Sequence, residues 1–494
     1  MAAKTNDVLE KIVSLSKRRG FVFQSSEIYG GLNGCWDYGP LGVELLKNLK
    51  EEWWKFMTYR DNVEGLDASI LMHPRVWEAS GHVENFTDPM IDCRQCKSRF
   101  RVDILADSIA VKKQRKMLEG SAVKLAAHWL FISGAKVDDF DDAKIGEIFT
   151  SILEDKDFNA ALIEELNCPQ CGNKGTFTSP RNFNLMFKTF VGPVEDSGSV
   201  VYLRPETAQG IFVNFLNVQT ASRQKLPFGI AQIGKAFRNE INTKYFLFRT
   251  REFEQMEMQF FVKPDSDKQF YDYWKKERLD WFKNLGMTPS KLRYRDHPAN
   301  KLAHYAKEAT DIEYEFPFGW GEIEGIHNRT NFDLTRHEEF SGKSQKYFDD
   351  ESKEKFIPFI IETSAGASRS FMAFLVDAYS EEMVNDELRV VLKLHPRLAP
   401  LKAAILPLVN KDGMPEYSRK MEMELRKRFK VFYDDKGAVG RRYRRQDEAG
   451  TPFAITIDTQ SMEDDTVTIR ERDTMVQERI ASSRATEYIF EKLG

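Results

Sequence analysis

Residues 237–262 read FRNEINTKYFLFRTREFEQMEMQFFV, and the fold of the chain turns on this stretch. Its many Phe and Met residues predict two β-strands around a loop. The same stretch carries a dense set of charged side chains: Arg238, Glu240, Arg249, Arg251, Glu252, Glu254 and Glu257. Because an unpaired charge is costly to bury, charges at the centre of a sheet indicate either ion-pair partners or a bound ligand.

Alternation along these strands separates an apolar face from a face of small, polar and charged residues. The second face carries Gln232, Gly234, Ala236, Arg238, Glu240, Phe253, Gln255, Glu257 and Gln259. A solvated face of an antiparallel sheet is one interpretation. The residue types favour a ligand site, because small residues beside an arginine leave room for a bound molecule. The guanidinium suits a phosphate, and Phe253 offers a flat surface for a base.

Two further segments carry candidate site residues. In IIETSAGASRS (360–370), Glu362 ends an apolar strand and Arg369 opens a helix, which is typical of a tight strand–helix turn but also suits a phosphate site. In RPETAQG (204–210), Glu206 precedes a helix-like run, where its charge would also complement the helix dipole. The chain has neither a GxGxxG fingerprint nor a GxxxxGK[ST] loop, which excludes a Rossmann dinucleotide site and a P-loop ATPase.

Four of the five cysteines form two CxxC pairs, CRQC (93–96) and CPQC (168–171). Two such knuckles suit a tetrahedral structural zinc ion, with Cys93, Cys96, Cys168 and Cys171 as ligands. The knuckles are 71 residues apart (168 − 96 − 1), so a helical excursion over 97–167 must lie within the loop between them.

The 494 residues are enough for about three domains. Lysines and arginines (72) nearly balance aspartates and glutamates (76), so any contact with nucleic acid must use local patches. No apolar run is long enough to span a membrane, and the N-terminus lacks the pattern of a signal or transit peptide. We therefore expect a cytoplasmic protein with reduced thiols.

Two other segments allow two interpretations each. The helix that follows Pro40 carries Trp53 and Trp54 on an apolar stripe, which is typical of either a core or a subunit interface. In GRRYRRQDEAGTPFAITID (440–458), four arginines surround Tyr443. This pattern indicates either a solvated run of charge or a patch that binds single-stranded RNA through phosphate contacts and stacking.

Taken together, these motifs resemble a known family. The Gly39–Pro40 turn with its helix, the stretch 237–262 and GASRSFMAFL (366–375) resemble motifs 1, 2 and 3 of class II aminoacyl-tRNA synthetases, in that order. SSEIYGGLNGCWDYGPLG, RPETAQGIFVNF, ETSAGASRS and the segment 440–458 are similar to the dimeric α2 glycyl-tRNA synthetases. The resemblance covers nearly the whole chain, and the insertion at 97–167 is its least characteristic part.

The resemblance implies an α+β fold in which an antiparallel sheet is flanked by helices. It implies catalytic segments at 1–92 and 172–387, the latter with a further helical insertion at about 265–315. A helical zinc-knuckle insertion would occupy 93–171, and an α/β anticodon-binding domain would occupy 388–494. The implied activity is that of a glycine–tRNA ligase, which makes glycyl-adenylate and pyrophosphate from glycine, ATP and Mg²⁺ and then charges tRNA(Gly). The family is homodimeric, with motif 1 at the interface.

The resemblance also implies the site residues. Arg238, Glu240 and Arg369 would be catalytic. The ATP site would comprise Arg238, Asn239, Glu240, Phe248, Arg249, Thr250, Arg251, Glu252, Phe253, Glu322, Ile323, Gly366, Ala367, Ser368 and Arg369. The glycine site would comprise Arg101, Glu206, Phe253, Glu254, Gln255, Met256, Glu257, Glu362, Thr363, Ser364, Ala365 and Gly366. The anticodon would contact Arg441, Arg442, Tyr443 and Arg444.

Two other functions compete with this interpretation. A non-catalytic, nucleic-acid-binding relative, of the type of the mitochondrial DNA polymerase accessory subunit, need not keep Arg238, Glu240, Glu362 and Arg369, yet all four are here. A synthetase for threonine, proline or histidine would have to grip a side chain. Several carboxylates suit the ammonium group of glycine better. Because no amino acid is smaller than glycine, such an enzyme requires no editing domain.

Overall fold

The protein is described from a computed structural model, which covers residues 2–119, 136–155, 159–196, 198–243, 245–303 and 305–493. The chain forms two compact units. The larger comprises Met1–Ser80 and Lys188–Gly494, and the smaller comprises Gly81–Phe187. The predicted boundaries at 92, 171 and 387 remain predictions.

In chain order, the strands are β1 (Val22–Gln24), β2 (Trp36–Tyr38), β3 (Val63–Gly65), β4 (Thr87–Asp92), β5 (Arg99–Arg101), β6 (Arg181–Asn184), β7 (Lys188–Phe190), β8 (Val200–Tyr202), β9 (Phe228–Phe237), β10 (Glu252–Val262), β11 (Leu292–Asp296), β12 (Glu308–Phe316), β13 (Gly319–Thr330), β14 (Tyr347–Phe348), β15 (Lys355–Phe356), β16 (Phe359–Gly366), β17 (Tyr379–Val384), β18 (Glu387–Leu392), β19 (Ala403–Pro407), β20 (Val431–Tyr433), β21 (Phe453–Ile457), β22 (Thr466–Glu471) and β23 (Gln477–Ala481).

The described α-helices, numbered in the same way, are α1 (Ala2–Arg19), α2 (Pro40–Thr58), α3 (Pro74–Ala79), α4 (His82–Asn85), α5 (Val102–Asp107), α6 (Val111–Leu118), α7 (Asp142–Glu154), α8 (Asn159–Glu165), α9 (Ala208–Phe212), α10 (Phe215–Ser222), α11 (Asp267–Asn284), α12 (Phe332–Ser341), α13 (Ala367–Ala378), α14 (Met414–Arg426), α15 (Val439–Ala449), α16 (Thr459–Asp464) and α17 (Ala485–Leu493). None of these helices is long and apolar enough to cross a membrane.

A seven-stranded sheet with the order β11-β12-β13-β16-β10-β9-β3 forms the centre of the larger unit. Its neighbours are antiparallel except β3 and β9, which run parallel. Of the two strands predicted in 237–262, β10 is present, whereas β9 already ends at Phe237, so Arg238 and Glu240 lie in the loop beyond it. The antiparallel sheet flanked by helices that the sequence predicted is therefore present.

One face of this sheet is covered by α2, α11 and α13, which bury its apolar side chains in the main hydrophobic core. Trp53 of α2 is completely buried in that core, and Trp54 packs against its edge. The tryptophan stripe is therefore core within one chain, and Trp53 is not available to a subunit interface.

The segment 265–315 differs in part from the predicted helical insertion. Its first half is the helix α11, but β11 and β12 then extend the central sheet. Charged residues alternate with uncharged ones along these strands. A strand of this kind at the edge of a sheet can be as rich in charged residues as an exposed helix.

The C-terminal part forms a second sheet with the order β20-β19-β21-β22-β23. The pairs of β19 with β20 and β21 are parallel, whereas the other two are antiparallel. Helices α14 and α17 contribute side chains to the core of this domain. The compact α/β arrangement agrees with the sequence-based expectation.

The smaller unit combines a three-stranded sheet, β5-β4-β6, with the helices α5 to α8 around its own apolar core. The predicted helical excursion over 97–167 is thus helical in large part, with β5 at its start. Residues 120–135 and 156–158 of that prediction lie outside the described residues.

An ion pair lies between α11 and the central sheet, on the core face. The Arg278 guanidinium donates to both oxygens of Glu324, from Nε at 2.7 Å and from Nη2 at 3.1 Å. Both side chains are fully buried, and the guanidinium also lies 4.5 Å from the centre of the Trp281 ring. Because both charges are buried and pair with each other, the two residues hold α11 in a fixed position on the sheet.

Replacing Arg278 with methionine should destabilise the chain by about 3–5 kcal/mol, because Glu324 would keep a buried charge without its partner. The measurement is the midpoint of chemical unfolding, followed by tryptophan fluorescence. The double variant Arg278→Met/Glu324→Leu should recover most of the loss, since it removes both charges.

Lys276→Met is the matched control, because Lys276 lies on the same helix in an exposed pair with Asp280. It should leave the midpoint almost unchanged. Equal effects of the two single variants would contradict the importance of the buried pair.

Candidate active site

The face of the central sheet opposite the helix-covered core forms a cleft. The antiparallel register places Gln255 opposite Gly234 and Gly366, and Glu257 opposite Ser364. His327 of β13 lies opposite Glu362 of β16 in the same way. Alternation therefore aims one set of polar side chains from three strands into one hollow.

Most of the predicted site residues line this cleft. They are Glu206, Arg238, Glu240, Phe248, Arg249, Thr250, Phe253, Glu254, Gln255, Glu257, Glu322, Glu362, Ser364, Gly366, Ser368 and Arg369. The solvated-sheet interpretation is wrong for the strand centres, because Gln232, Glu257 and Gln259 are all buried.

Three carboxylates meet at the inner end of the cleft. Glu257 accepts from the Thr207 hydroxyl and from the Gln259 amide at 3.1 Å. The same Gln259 amide donates to Glu362 at 2.8 Å. Glu206 is held by the Gln209 amide at 2.9 Å. The Gln259 amide thus links Glu257 to Glu362, whereas Glu206 accepts from a different amide, that of Gln209.

The carboxyls of Glu257 and Glu362 have opposite pKa shifts. Burial, together with the negative charges of Glu362 and Glu206, raises the pKa of Glu257 well above its usual value. Burial alone would also raise the pKa of Glu362, but Arg329 and His327 outweigh it and lower that pKa to about 2. At neutral pH the Glu362 carboxyl is therefore ionised, and of the two carboxyls Glu257 is the one that takes up a proton more readily.

Arg329 and His327 hold Glu362 from β13. The Arg329 guanidinium donates to Glu362 at 3.1 Å and binds Asp333 through two nitrogens, at 2.8 and 2.9 Å. His327 Nδ1 lies 2.6 Å from Glu362. Burial alone would lower the pKa of His327, but the hydrogen bond to Glu362 and the negative charges of Glu362 and Glu322 together outweigh it, and the pKa rises.

Two arginines mark the outer half of the cleft. Arg238 donates to the Pro205 carbonyl at 3.0 Å, and its guanidinium carbon lies 5.4 Å from the centre of the Phe253 ring. Arg369, at the start of α13, donates to the Phe248 carbonyl at 3.0 Å and pairs with the Glu322 carboxylate at 3.3 Å. Both cations are positioned by backbone oxygens and open onto the cleft, an arrangement suited to a phosphate chain.

Glu322 reaches the cleft because of a β-bulge. The register between β12 and β13 shifts by one residue at Ile323, so that Glu322 lies opposite Glu313 and Glu324 opposite Ile312. Burial alone would raise the pKa of Glu322, but Arg369 reverses the effect and lowers it. Two glutamates that strict alternation would put on one face therefore point to opposite faces.

The space beside Gly234 is filled by protein rather than left for a ligand. A Cβ at this position would come within 2.1 Å of the Arg204 guanidinium. Arg204 is buried and donates to the backbone carbonyls of Lys235 and Ala68. The inference that small residues leave room for a bound molecule is thus wrong at Gly234, where the room belongs to Arg204.

Several predicted residues do not present a side chain to the cleft. Met256, Ile323, Ala365 and Ala367 belong to the main core. Thr363, two residues before Ala365 on β16, is also fully buried on the core side of that strand. Arg251 donates to the carbonyls of Glu240 and Asn33, Glu252 pairs with Lys235 at the surface, and Asn239 is half-buried.

Arg101 lies in the smaller unit. There it pairs with Asp103 at 2.6 Å and with Asp88 at 3.2 Å. Its predicted place in the glycine site stays a prediction.

The sequence interpretation missed five lining residues: Leu247, Tyr305, Gly325, His327 and Arg329. The signal for three of them was available, because Gly325, His327 and Arg329 alternate along GWGEIEGIHNRT. Tyr305 stands against Arg329, whose guanidinium carbon lies 3.9 Å from the ring centre, and no local pattern indicates that contact.

The four cysteines of the CxxC pairs come together in the smaller unit. Their sulfur atoms lie within 4.8 Å of one another, with 3.8 Å between Cys93 and Cys171 and 3.7 Å between Cys96 and Cys168. A tetrahedral ion with Zn–S bonds of the usual length sets its sulfurs about 3.8 Å apart. All four thiols are free of disulfides, so the donor set fits a metal ion.

The predicted RNA patch lies on α15, and its four residues differ in exposure. Arg441 is exposed, whereas Arg442 is buried and donates to the carbonyls of Pro407, Asp434 and Leu408. The Tyr443 hydroxyl bonds Thr456 at 2.5 Å, and Arg444 pairs with Asp447 at 3.5 Å. Arg442 thus stabilises the C-terminal domain, and Arg441 is the member of the four that is most open to a ligand.

Comparison of the sequence with known proteins gives independent information on this chain. Residues 190–379 match the family described as the tRNA synthetase class II core domain (G, H, P, S and T), and residues 402–492 match the anticodon binding domain. The chain is 54% identical to a glycine–tRNA ligase of Treponema denticola, over 96% of this chain and 94% of that protein. It is 48% identical to a glycine–tRNA ligase of Streptomyces coelicolor, over 99% of each chain.

Proposed function

The chain belongs to the glycine–tRNA ligase family, and we propose that the cleft of the central sheet is where it joins glycine to ATP. As a glycine–tRNA ligase, it forms glycyl-adenylate and pyrophosphate and then transfers glycine to tRNA. The proposal rests on one observation: Arg238, Arg369 and the carboxylates of Glu206, Glu257 and Glu362 all line the same cleft.

The outer half of the cleft is assigned to ATP. In the first step the glycine carboxylate attacks the α-phosphate, which requires alignment and charge neutralisation rather than a protein nucleophile. Arg238 would hold the α-phosphate and the attacking carboxylate, and Arg369 the γ-phosphate. Phe253 would stack on the adenine, and Glu240 would accept from its amino group. Glu322 would hold the Mg²⁺ that class II synthetases use with ATP, which neutralises phosphate charge when bound.

The inner end of the cleft is assigned to the glycine ammonium group. Glycine has no side chain to bind, so its nitrogen is the handle, and Glu206, Glu257 and Glu362 surround that end. Ser364 would contribute its hydroxyl, which already accepts from Gln255 at 3.3 Å. The ordered wall of amides and carboxylates leaves little room for the methyl group of alanine.

The other partners follow from separate features. We propose structural zinc at the four cysteines, in a cytoplasm that keeps thiols reduced.

We also propose a homodimer: Ile28, Tyr29, Leu32 and Val43 are exposed large apolar residues next to or within the motif 1 segment, and Ile28 is 88% exposed. The anticodon of tRNA(Gly) would bind the C-terminal domain near Arg441 and Arg444.

Arg238→Ala should lower glycine-dependent ATP–pyrophosphate exchange about 10²- to 10³-fold, because the charge that develops at the α-phosphate would lose its main cation. The thermal midpoint should stay close to that of the wild type. Arg295→Ala, at an exposed arginine of the same sheet, is the control and should exchange normally. Normal exchange by Arg238→Ala would refute the assignment.

The affinity for glycine should rise as the pH passes upward through the raised pKa of Glu257, because the ammonium group replaces the proton that the empty cleft keeps on Glu257. Below the raised pKa of Glu257 the proton must leave on binding, which costs free energy, and above that pKa it is already gone. Glu257→Gln should bind more weakly and lose this dependence, since an amide mimics the protonated acid.

Glycine dissociation constants measured by calorimetry in two buffers of different ionisation enthalpy check this prediction, because they also count the protons released. Parallel pH profiles for the wild type and Glu257→Gln would contradict it.

Purified protein should contain about one zinc ion per chain, since four thiolates complete one tetrahedral site. Elemental analysis provides the measurement. Cys93→Ser/Cys168→Ser should remove the metal and lower the thermal midpoint, whereas Cys35→Ser, at the cysteine outside the cluster, should keep both. A metal-free protein of unchanged stability would disprove the zinc site.

A further inference from the structure

A long groove runs along the joint between the helices of the catalytic core and the C-terminal domain; we call it the joint groove. It consists of two adjoining clefts of about 540 and 600 Å³ that share Arg426, Lys430 and Val431. Its core side is formed by the C-terminal end of α1 and by α2. Its other side is formed by the end of α14 and by β20.

The lining of the joint groove is strongly basic. The two clefts together are lined by ten lysines and arginines but by only two acidic residues among the described part of the chain, Glu44 and Asp434. The whole chain has a net charge of −4, so this excess of positive charge is local. A surface of this kind attracts a polyanion.

Three exposed cations of the groove make no ion pair within 4 Å of an acidic group in the part of the chain that the structure describes. They are Lys47 on α2, Arg428 just beyond α14 and Lys436 after β20, and all three are exposed. Other cations are partly neutralised, as Arg426 is by Glu422 at 2.7 Å and Lys430 is by Glu44 at 3.5 Å. The groove therefore keeps cations on both of its walls that are available to a ligand.

The joint itself is held by direct bonds. Asn48 of α2 donates to the carbonyls of Leu398 and Ala399, at 3.2 and 3.0 Å. Glu52 pairs with Arg397 at 3.0 Å. The ammonium group of Lys402 donates to three backbone carbonyls, at 2.7–2.9 Å, and burial lowers its pKa to about 8. Lys402 thus stabilises the connecting segment 396–402, and Asn48 and Glu52 bind that segment to α2.

We propose that the joint groove binds the sugar–phosphate backbone of a tRNA stem. The groove is open and elongated, whereas a site for a small anion would enclose it with converging donors. Phe432, which is 43% exposed on the edge strand β20, adds an aromatic surface at the rim. The inference rests on the tRNA-charging function and adds a contact surface outside the active cleft. On the C-terminal side this surface reaches α15, where Arg445 lines the groove one turn after Arg441.

The test is charge reversal at the two unpaired cations on opposite walls, Lys47→Glu and Arg428→Glu. Each should raise the KM for tRNA in aminoacylation by about tenfold, and each should lower the salt dependence of tRNA binding by about one counterion. Lys420→Glu is the matched control. It makes the same change of charge on α14 but lies in another cleft, so it should leave both values unchanged.

ATP–pyrophosphate exchange without tRNA separates this inference from the proposed function. Exchange should be normal in Lys47→Glu and Arg428→Glu, since neither residue lines the active cleft. An unchanged tRNA KM and salt slope in both variants would overturn the joint groove as an RNA site. So would a change in sedimentation that shows lost subunit association, because the groove would then be an interface between copies.

Discussion

The architecture of the active cleft depends on one constraint: several carboxylates have to be buried on one face of a sheet. The central sheet meets it with the Arg329 guanidinium, which bonds Glu362 and Asp333, and with amides that are shared between neighbouring acids. Only part of the negative charge is cancelled in this way. Burial and the remaining excess of negative charge raise the pKa of Glu257, and this excess suits the hollow to a cationic ligand.

The two faces of that sheet use charge for different purposes. On the core face, Arg278 and Glu324 neutralise each other completely and hold α11 in place. On the cleft face, Arg238 and Arg369 are anchored through backbone carbonyls and face the space where a ligand would bind, and Arg369 also pairs with Glu322. The bulge at Ile323 separates these two uses, because it sends Glu322 and Glu324 to opposite sides.

Alternation and the CxxC spacing were enough to predict the antiparallel sheet and the cysteine cluster, and the family resemblance implied most of the residues that line the cleft. They failed where one residue depends on another that is remote in sequence. The space at Gly234 is filled by Arg204, and the burial of Arg442 follows from carbonyls of two other segments. Strand parity would also have excluded Met256, Thr363 and Ala365 from the cleft, whereas the bulge at Ile323 has no local signature.

The division of the larger unit into two pieces of chain has a consequence for biosynthesis. Strand β3 ends at Gly65, but its neighbour β9 begins at Phe228, which is 163 residues (228 − 65) later. At the usual rate of translation, the nascent N-terminal segment waits about 10–30 s before that neighbour leaves the ribosome. During this time Trp53 and the apolar stripe of α2 have no sheet to cover them, so the apolar face of this helix stays exposed until β9 and β10 have been synthesised.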